Sequence, residues 1–245
     1  MDFQIYSDLH ISINKKIPFI KAYKPHLILA GDIGKYPDSN FVKFIEYVNR
    51  TWKKTFYILG NHEAYSKNIS FVDLLKKFRD FFKKYKNIVF LYNETYSLGD
   101  YLLVGSTMWS DPYLIEKFHR PILFETQNGL DFDRTKYLKL RQECIDFLNS
   151  IKTKKKVILL THFPIINKYT FNKKHIKDKN YISWLTNNIN IKSFPFYKNL
   201  LVSISGHTHY SYDFTYKGIR FIANQLGYTY FKDNTIRIKS GVFKL

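Results

Sequence analysis

The chain has 245 residues, 39 Lys+Arg against 20 Asp+Glu, and a formal net charge of +19. A hydrophobic content of 45% with 18% aromatics is enough for a sizeable core and excludes a disordered chain, while the single cysteine excludes a disulfide framework or a thiolate-rich zinc site. No stretch reaches the roughly 18 apolar residues of a membrane span, and Asp2 and Asp8 interrupt the opening stretch where a signal peptide would lie.

Phe3 to Ser7 alternates as a strand, and a helix is expected through Phe19 to Tyr23. His26 to Ala30 is a short buried strand that runs into Gly31-Asp32. Ser39 is expected to cap a helix over Phe41 to Trp52, with Phe41, Phe44, Ile45 and Val48 on one face. Thr55 to Leu59 is the next strand, and Ile69 to Tyr85 is an amphipathic helix. Strands follow at Ile88 to Tyr92, Thr95 to Leu98 and Tyr101 to Gly105, the last two joined through Gly99-Asp100. Asp133 to Ile151 reads as a long helix with Cys144 in its apolar stripe, a core position.

Val157 to Leu160 is a buried strand that delivers Thr161-His162. Phe163 to Asn180 reads as a polar, Lys-rich loop at the rim. Leu201 to Ser205 is a further buried strand, and hairpin strands at Tyr212 to Tyr216, Ile219 to Ala223, Tyr228 to Lys232 and Ile236 to Lys239 close the chain. With no repeat or linker, residues 1–245 read as one domain. Alternating strands and helices followed by consecutive strands predict an α/β fold of two packed mixed sheets flanked by helices.

Five strand ends carry the chemistry. They deliver Asp8 and His10 (SDLH), Asp32 (AGDIG), Asn61 and His62 (GNHE), His162 (THFP), and His207 and His209 (GHTH). Strand ends on one edge of an α/β sheet converge on a crevice. The i, i+2 spacing of Asp8/His10 and His207/His209 turns both donors the same way in extended chain. Gly31, Gly60 and Gly206 allow close backbone approach there. Four His, two Asp and one Asn suit Mn, Fe or Zn better than Ca, or Mg alone. Seven donors exceed one tetrahedral ion and suit two ions about 3.5–4 Å apart that share a carboxylate. His26, His119 and His175 fit no such pattern. Phosphate loops of the GxxxxGK[ST] or GxGxxG type and a GxSxG elbow are absent.

The order Asp8-x-His10, Gly31-Asp32, Gly60-Asn61-His62-Glu63, His162, Gly206-His207-x-His209 resembles the calcineurin-like metallophosphoesterase superfamily. The finer resemblance is to its small, cap-less bacterial-type predicted phosphohydrolases. These have counterparts of Gly105 to Asp111 and of Asn224-Gln225-Leu226-Gly227-Tyr228. The resemblance implies a four-layer sandwich and two divalent ions, manganese first with iron, zinc or magnesium as alternatives. It places Asp8, His10 and His209 on one ion, Asn61, His162 and His207 on the other, and Asp32 as the bridge. His62 would then protonate the leaving group or steer the phosphate, and a metal-bridging hydroxide would attack phosphorus.

Two departures from the family pattern stand out. Asp32-Ile33-Gly34-Lys35 lacks the DRG segment of protein Ser/Thr phosphatases, which disfavours that activity. Phe163 stands where a second His often follows the THx ligand.

The expected partner is therefore a phosphate ester, either a small molecule or a nucleotide, hydrolysed as a monoester or diester. A metal-dependent nuclease or cyclic-nucleotide phosphodiesterase is the alternative within the fold, and a non-catalytic binding scaffold is the alternative of another class. A cytoplasmic location is the expectation, and the oligomeric state is open. The net charge fits a nucleic-acid partner. It fits compositional bias equally, since only seven of the 39 basic residues are the arginines preferred for bidentate phosphate contacts. Substrate-reading residues are expected on Lys35 to Ser39, Ala64 to Asn68, Pro112 to Leu130 and Phe163 to Asn180. Tyr65, Trp109 and Phe163 are candidates for either base stacking or packing.

Overall fold

The structure is a computed structural model that describes residues 2–65, 69–110, 134–175, 179–229 and 240–244. Strands β1 (Asp2–Tyr6), β2 (His26–Ala30), β3 (Lys54–Ile58) and β4 (Ile88–Phe90) form a parallel set, and β11 (Val242–Lys244) adds antiparallel to β1. The second sheet runs β5-β6-β7-β8-β10-β9. Its strands are β5 (Glu94–Leu98), β6 (Tyr101–Ser106), β7 (Lys156–Thr161), β8 (Leu200–Ile204), β9 (Tyr212–Tyr216) and β10 (Ile219–Ala223). Its four central strands are parallel, and a hairpin partner flanks them antiparallel on each side.

The period of two explains the layers. In β2, Ile28 and Ala30 face the second sheet and join Phe56, Ile58, Leu103, Ile158, Leu160, Val202, Ile204 and Ile222 in the inter-sheet core. Leu27 and Leu29 face the other way and belong to the helix-side core. There α2 (Ser39–Thr51) buries the predicted stripe Phe41, Phe44, Ile45 and Val48, and Phe41 meets Tyr57 edge-on at 6.3 Å. Helix α4 (Phe71–Phe82) stacks Phe78 and Phe82 on Phe90. Helix α5 (Arg134–Ser150) covers the second sheet, with Tyr137, Cys144 and Leu148 buried. Two mixed sheets flanked by helices are therefore the observed architecture, as expected.

Several local expectations are corrected. Phe19 to Tyr23 is not helical. The buried Gln4 side chain takes its backbone groups instead, accepting from Tyr23 N (2.8 Å) and Lys24 N (3.2 Å) and donating to Lys21 O (2.9 Å). The cap of α2 is Asp38, not Ser39, because the Asp38 carboxylate accepts from both Asn40 N and Phe41 N at 3.0 Å. Phe163 to Asn180 is only partly a polar rim. Phe163, Ile165, Ile166 and Thr170 are buried, and α6 (Lys179–Leu185) begins within its last residues. Tyr228 and Thr229 are not strand residues, and the remainder of the last two expected strands, 230–239, lies outside the described residues. Short elements beyond those expected include β11 and the single turns α1 (Ile11–Asn14) and α3 (Asn61–Ala64). Among the described residues, no helix is long and apolar enough to cross a membrane.

Candidate metal centre

The ends of β1, β2, β3, β7 and β8 bring all seven predicted donors to one place. Three overlapping groups have ligand atoms within 4.8 Å of one another: Asp8, His10 and His209; His10, Asp32 and His62; Asp32, His162 and His207. Asn61 joins the last group, its Oδ1 lying 2.9 Å from both His162 Nε2 and His207 Nδ1. Asp32 Oδ2 lies 3.4 Å from His162 Nε2 and 3.8 Å from His10 Nε2, so it sits between the two ends of the cluster. His209 Nε2 is 2.9 Å from His10 Nε2 and 3.5 Å from Asp8 Oδ1.

The pleat does not aim these side chains, contrary to the extended-chain reading of the i, i+2 pairs. Asp8 (φ 55°), His10 (46°), Asp32 (56°), His207 (71°) and His209 (50°) all occupy the left-handed region. Non-glycine residues enter it uncommonly, at a cost of about 1–3 kcal/mol each. Each strand end turns sharply, which packs donors into the crevice more densely than an extended chain allows. Main-chain bonds between the loops offset part of the cost: Asp8 N donates to Gly31 O (3.0 Å) and His10 N to Asp32 O (2.9 Å).

Glu63 is the organiser that motif reading missed. Its fully buried carboxylate accepts from Asp32 N (2.9 Å), Ile33 N (2.6 Å), Gly34 N (3.2 Å), Gly60 N (2.9 Å) and Tyr57 OH (2.9 Å). One carboxylate thus closes the turns after β2 and β3 together. Burial, reinforced by the Asp32 charge, pushes its pKa up to about 7. The signal was available in the GNHE string, since a Glu three residues past Gly60 at a helix start is a capping arrangement. Space explains the glycines. A Cβ on Gly60 would overlap the Asp32 carboxylate, and one on Gly31 (φ 84°) would lie 2.5 Å from His162 Nδ1.

The protonation pattern suits a cation. His162 Nδ1 donates to Ala30 O (2.9 Å), which leaves Nε2 turned toward Asn61 Oδ1 and Asp32. Asn61 Nδ2 donates to Tyr65 OH (2.6 Å), which turns its carbonyl oxygen to the histidines. In neutral His162 the Nε2 lone pair therefore faces the Asn61 oxygen, a contact that a proton or a cation between them makes favourable. Burial lowers the His162 pKa, but the Asp32 carboxylate more than reverses this and holds it near 9, so the pocket retains a proton where a metal ion fits. Burial pulls His10 down to about 3 and His207 well below the usual imidazole range, keeping both as neutral donors. For Asp32 burial acts upward, yet the neighbouring His162 and His62 hold it well below the carboxylate range; burial pushes Asp8 up to about 7. His10 Nδ1 and His207 Nε2 are buried with no hydrogen-bond partner among the described residues. The residues present fit divalent metal ions.

His62 lies beside this cluster, half-buried, with Nε2 4.0 Å from Asp32 Oδ2 and its backbone N bonded to Asp32 Oδ1 (2.8 Å). Of the stacking candidates, Trp109 and Phe163 are buried packing residues, Phe163 lying 4.0 Å from the His207 ring. Tyr65 is half-exposed and orients Asn61. His26 packs on Phe3 at 5.6 Å, away from the cluster; His119 and the stretch Pro112 to Leu130 lie outside the described residues. Lys35 is half-buried near the cluster, its Nζ bonded to Tyr65 O (3.1 Å), and burial lowers its pKa. Lys43, Lys76, Lys77 and Lys139 are exposed on the flanking helices.

A family model described as calcineurin-like phosphoesterase matches residues 1–211. The uncharacterized protein L509 of Acanthamoeba polyphaga mimivirus is 32% identical over 231 residues, covering 85% of this chain and 80% of that protein. Among solved structures, phosphopantetheinyl hydrolase from Mycobacterium tuberculosis superposes with a TM-score of 0.69 at 15% identity, over 92% of this chain and 89% of the other.

Proposed function

The chain belongs to the calcineurin-like phosphoesterase family and hydrolyses phosphate esters, and from that premise we propose a binuclear centre acting on a phosphomonoester or phosphodiester. Asp8, His10 and His209 would hold one divalent ion, Asn61, His162 and His207 the other, and Asp32 both. Manganese is the first choice of metal, because the donors mix imidazole nitrogen with carboxylate and amide oxygen. When bound, such ions acidify a water and neutralise phosphoryl oxygens. The observation that carries the reading is the chain of three overlapping donor groups, the first two linked through His10 and the last two through Asp32.

The remaining work falls to the protein. His62, beside the cluster but turned to its edge, delivers a proton to the leaving oxygen. A positioned acid of this kind contributes about 10²–10⁴-fold. Asn61 is held by Tyr65 so that its carbonyl oxygen, not its amide, faces the ions. Burial of Asp8, Asp32, His162 and His207 excludes bulk water and strengthens every charge interaction in the pocket. The exposed lysines on the flanking helices support compositional bias as the source of the net charge, which favours a small substrate over nucleic acid.

A panel run with added Mn²⁺ tests this. It sets alkyl and aryl phosphomonoesters against bis-aryl phosphodiesters, 2′,3′- and 3′,5′-cyclic nucleotides, and single- and double-stranded nucleic acid. Turnover of a small ester that a chelator abolishes supports the reading. Turnover confined to nucleic acid shifts it to a nuclease, and turnover that survives chelation overturns it.

A further inference from the structure

We propose that Tyr228 is a positioning residue for His62, an inference that rests on the reading of His62 as the acid. Tyr228 lies beyond residues 1–211, the span the family model matches. Its hydroxyl is 3.0 Å from His62 Nε2. Its ring stacks on His10 at 4.4 Å with 26° between the planes, and meets His209 edge-on at 4.7 Å. One side chain thus touches two proposed ligands of one ion and the proposed acid beside it.

The backbone that carries Tyr228 is built into the site. Leu226 N donates to Ser7 O (3.1 Å) and Gly227 N to Asp8 O (3.0 Å), while Ser7 N donates to Asn224 O (3.1 Å). Gln225 reaches the other side, its Nε2 donating to Thr208 Oγ1 (3.0 Å) and Tyr210 O (2.8 Å). Gly227 has φ 72°, and a Cβ there would lie 3.3 Å from the His209 ring, so glycine fits this turn with the least strain. The segment is therefore pinned to the loops after β1 and β8, and the hydroxyl it presents has a fixed place.

That place matters because His62 sits half-buried on a four-residue helix, its ring bounded by His10 at 4.6 Å and Tyr65 at 4.8 Å, contacts that position the ring but do not fix where Nε2 hydrogen-bonds. In the acid form His62 Nε2–H donates to the Tyr228 hydroxyl, which holds that N–H at a fixed place; on reaction the Nε2–H bond breaks as the proton passes to the leaving oxygen, and the ring is left neutral. Proton delivery falls steeply with misplacement, on the order of 10²-fold for about 1 Å.

The test is Tyr228→Phe in the full-length, Mn²⁺-loaded chain, which keeps the stacked ring and removes only the hydroxyl. The expected result is a kcat loss of about 10- to 100-fold on an alkyl phosphate, whose leaving group needs a proton. The loss should shrink on 2,4-dinitrophenyl phosphate, whose leaving group does not, and bound metal should match wild type. The double variant Tyr228→Phe/His62→Gln should lose no more than His62→Gln alone, because the hydroxyl acts through His62. Equal losses on both substrates, additive losses in the double variant, or loss of metal would overturn the inference and leave the binuclear reading standing. Wild-type turnover by His62→Gln would overturn the acid assignment and this inference with it.

Discussion

The two sheets each supply half of the site, and the halves are held in different ways. The first-sheet half, which contains Asp8, His10, Asp32, Asn61 and His62, is organised from within. Glu63 alone gathers four backbone N–H groups and a tyrosine hydroxyl from the turns after β2 and β3. The second-sheet half, His162, His207 and His209, leans on its neighbour. His162 Nδ1 donates to Ala30 O, His207 N donates to the Asp8 carboxylate (3.0 Å to Oδ1), and Gln225 ties Thr208 to the strand end. Hence damage to the first half should spread to the second, while damage to the second should stay local.

The largest effect should come from Asp32→Asn, which removes the carboxylate at the junction of both halves. Turnover should fall below detection, and bound metal, measured by elemental analysis, should fall at both positions. Glu63→Gln comes next, because an amide placed among N–H donors leaves at least two of them unpaired. At roughly 1–3 kcal/mol for each buried unsatisfied group, denaturant unfolding should show a loss of about 3 kcal/mol or more, with metal lost from both halves. Retained metal at either position would break the comparison.

Gln225→Leu should act more locally, loosening the loop that carries His207 and His209. Because that loop carries one proposed ligand of each ion, a metal titration should show both ions bound about 10- to 100-fold more weakly, while unfolding stability stays within about 1 kcal/mol of wild type. A stability loss as large as that of Glu63→Gln would show that the second half is not subordinate. The smallest effect should be that of Cys144→Ala, a buried residue of α5 that belongs to none of the donor groups. It should cost on the order of 1 kcal/mol in unfolding and leave turnover and metal content unchanged.

The same division describes how much could be read in advance. The strands at His26, Thr55, Val157 and Leu201 were legible because both of their faces are buried, so each is a short apolar run ending in Gly or Thr. The donors were legible because each follows such a run. Features made by distant partners were not. Gln4 takes the backbone bonds of 21–24 from a position 17 to 20 residues away, so local pattern suggests a helix that does not form. β11 is three residues long and exists by pairing with β1 across the whole chain. The left-handed turns at Asp8, His10, His207 and His209 replace the extended geometry their spacing suggests, because nothing in a D-x-H string encodes φ. Glu63 was visible as a letter in GNHE, yet its five partners lie on the turns after β2 and β3 and on β3 itself. Phe163 to Asn180 reads as polar on average, whereas its apolar residues Phe163, Ile165 and Ile166 pack inward against the His207 ring and the core.

The central claim is that two ions share Asp32. Anomalous X-ray scattering at the manganese edge, from crystals of the Mn²⁺-loaded chain, tests it most directly. The account predicts two peaks on either side of Asp32, one bounded by Asp8, His10 and His209 and the other by Asn61, His162 and His207. A single peak in a fully active, metal-saturated protein, or two peaks that leave Asp32 uncoordinated, would contradict it.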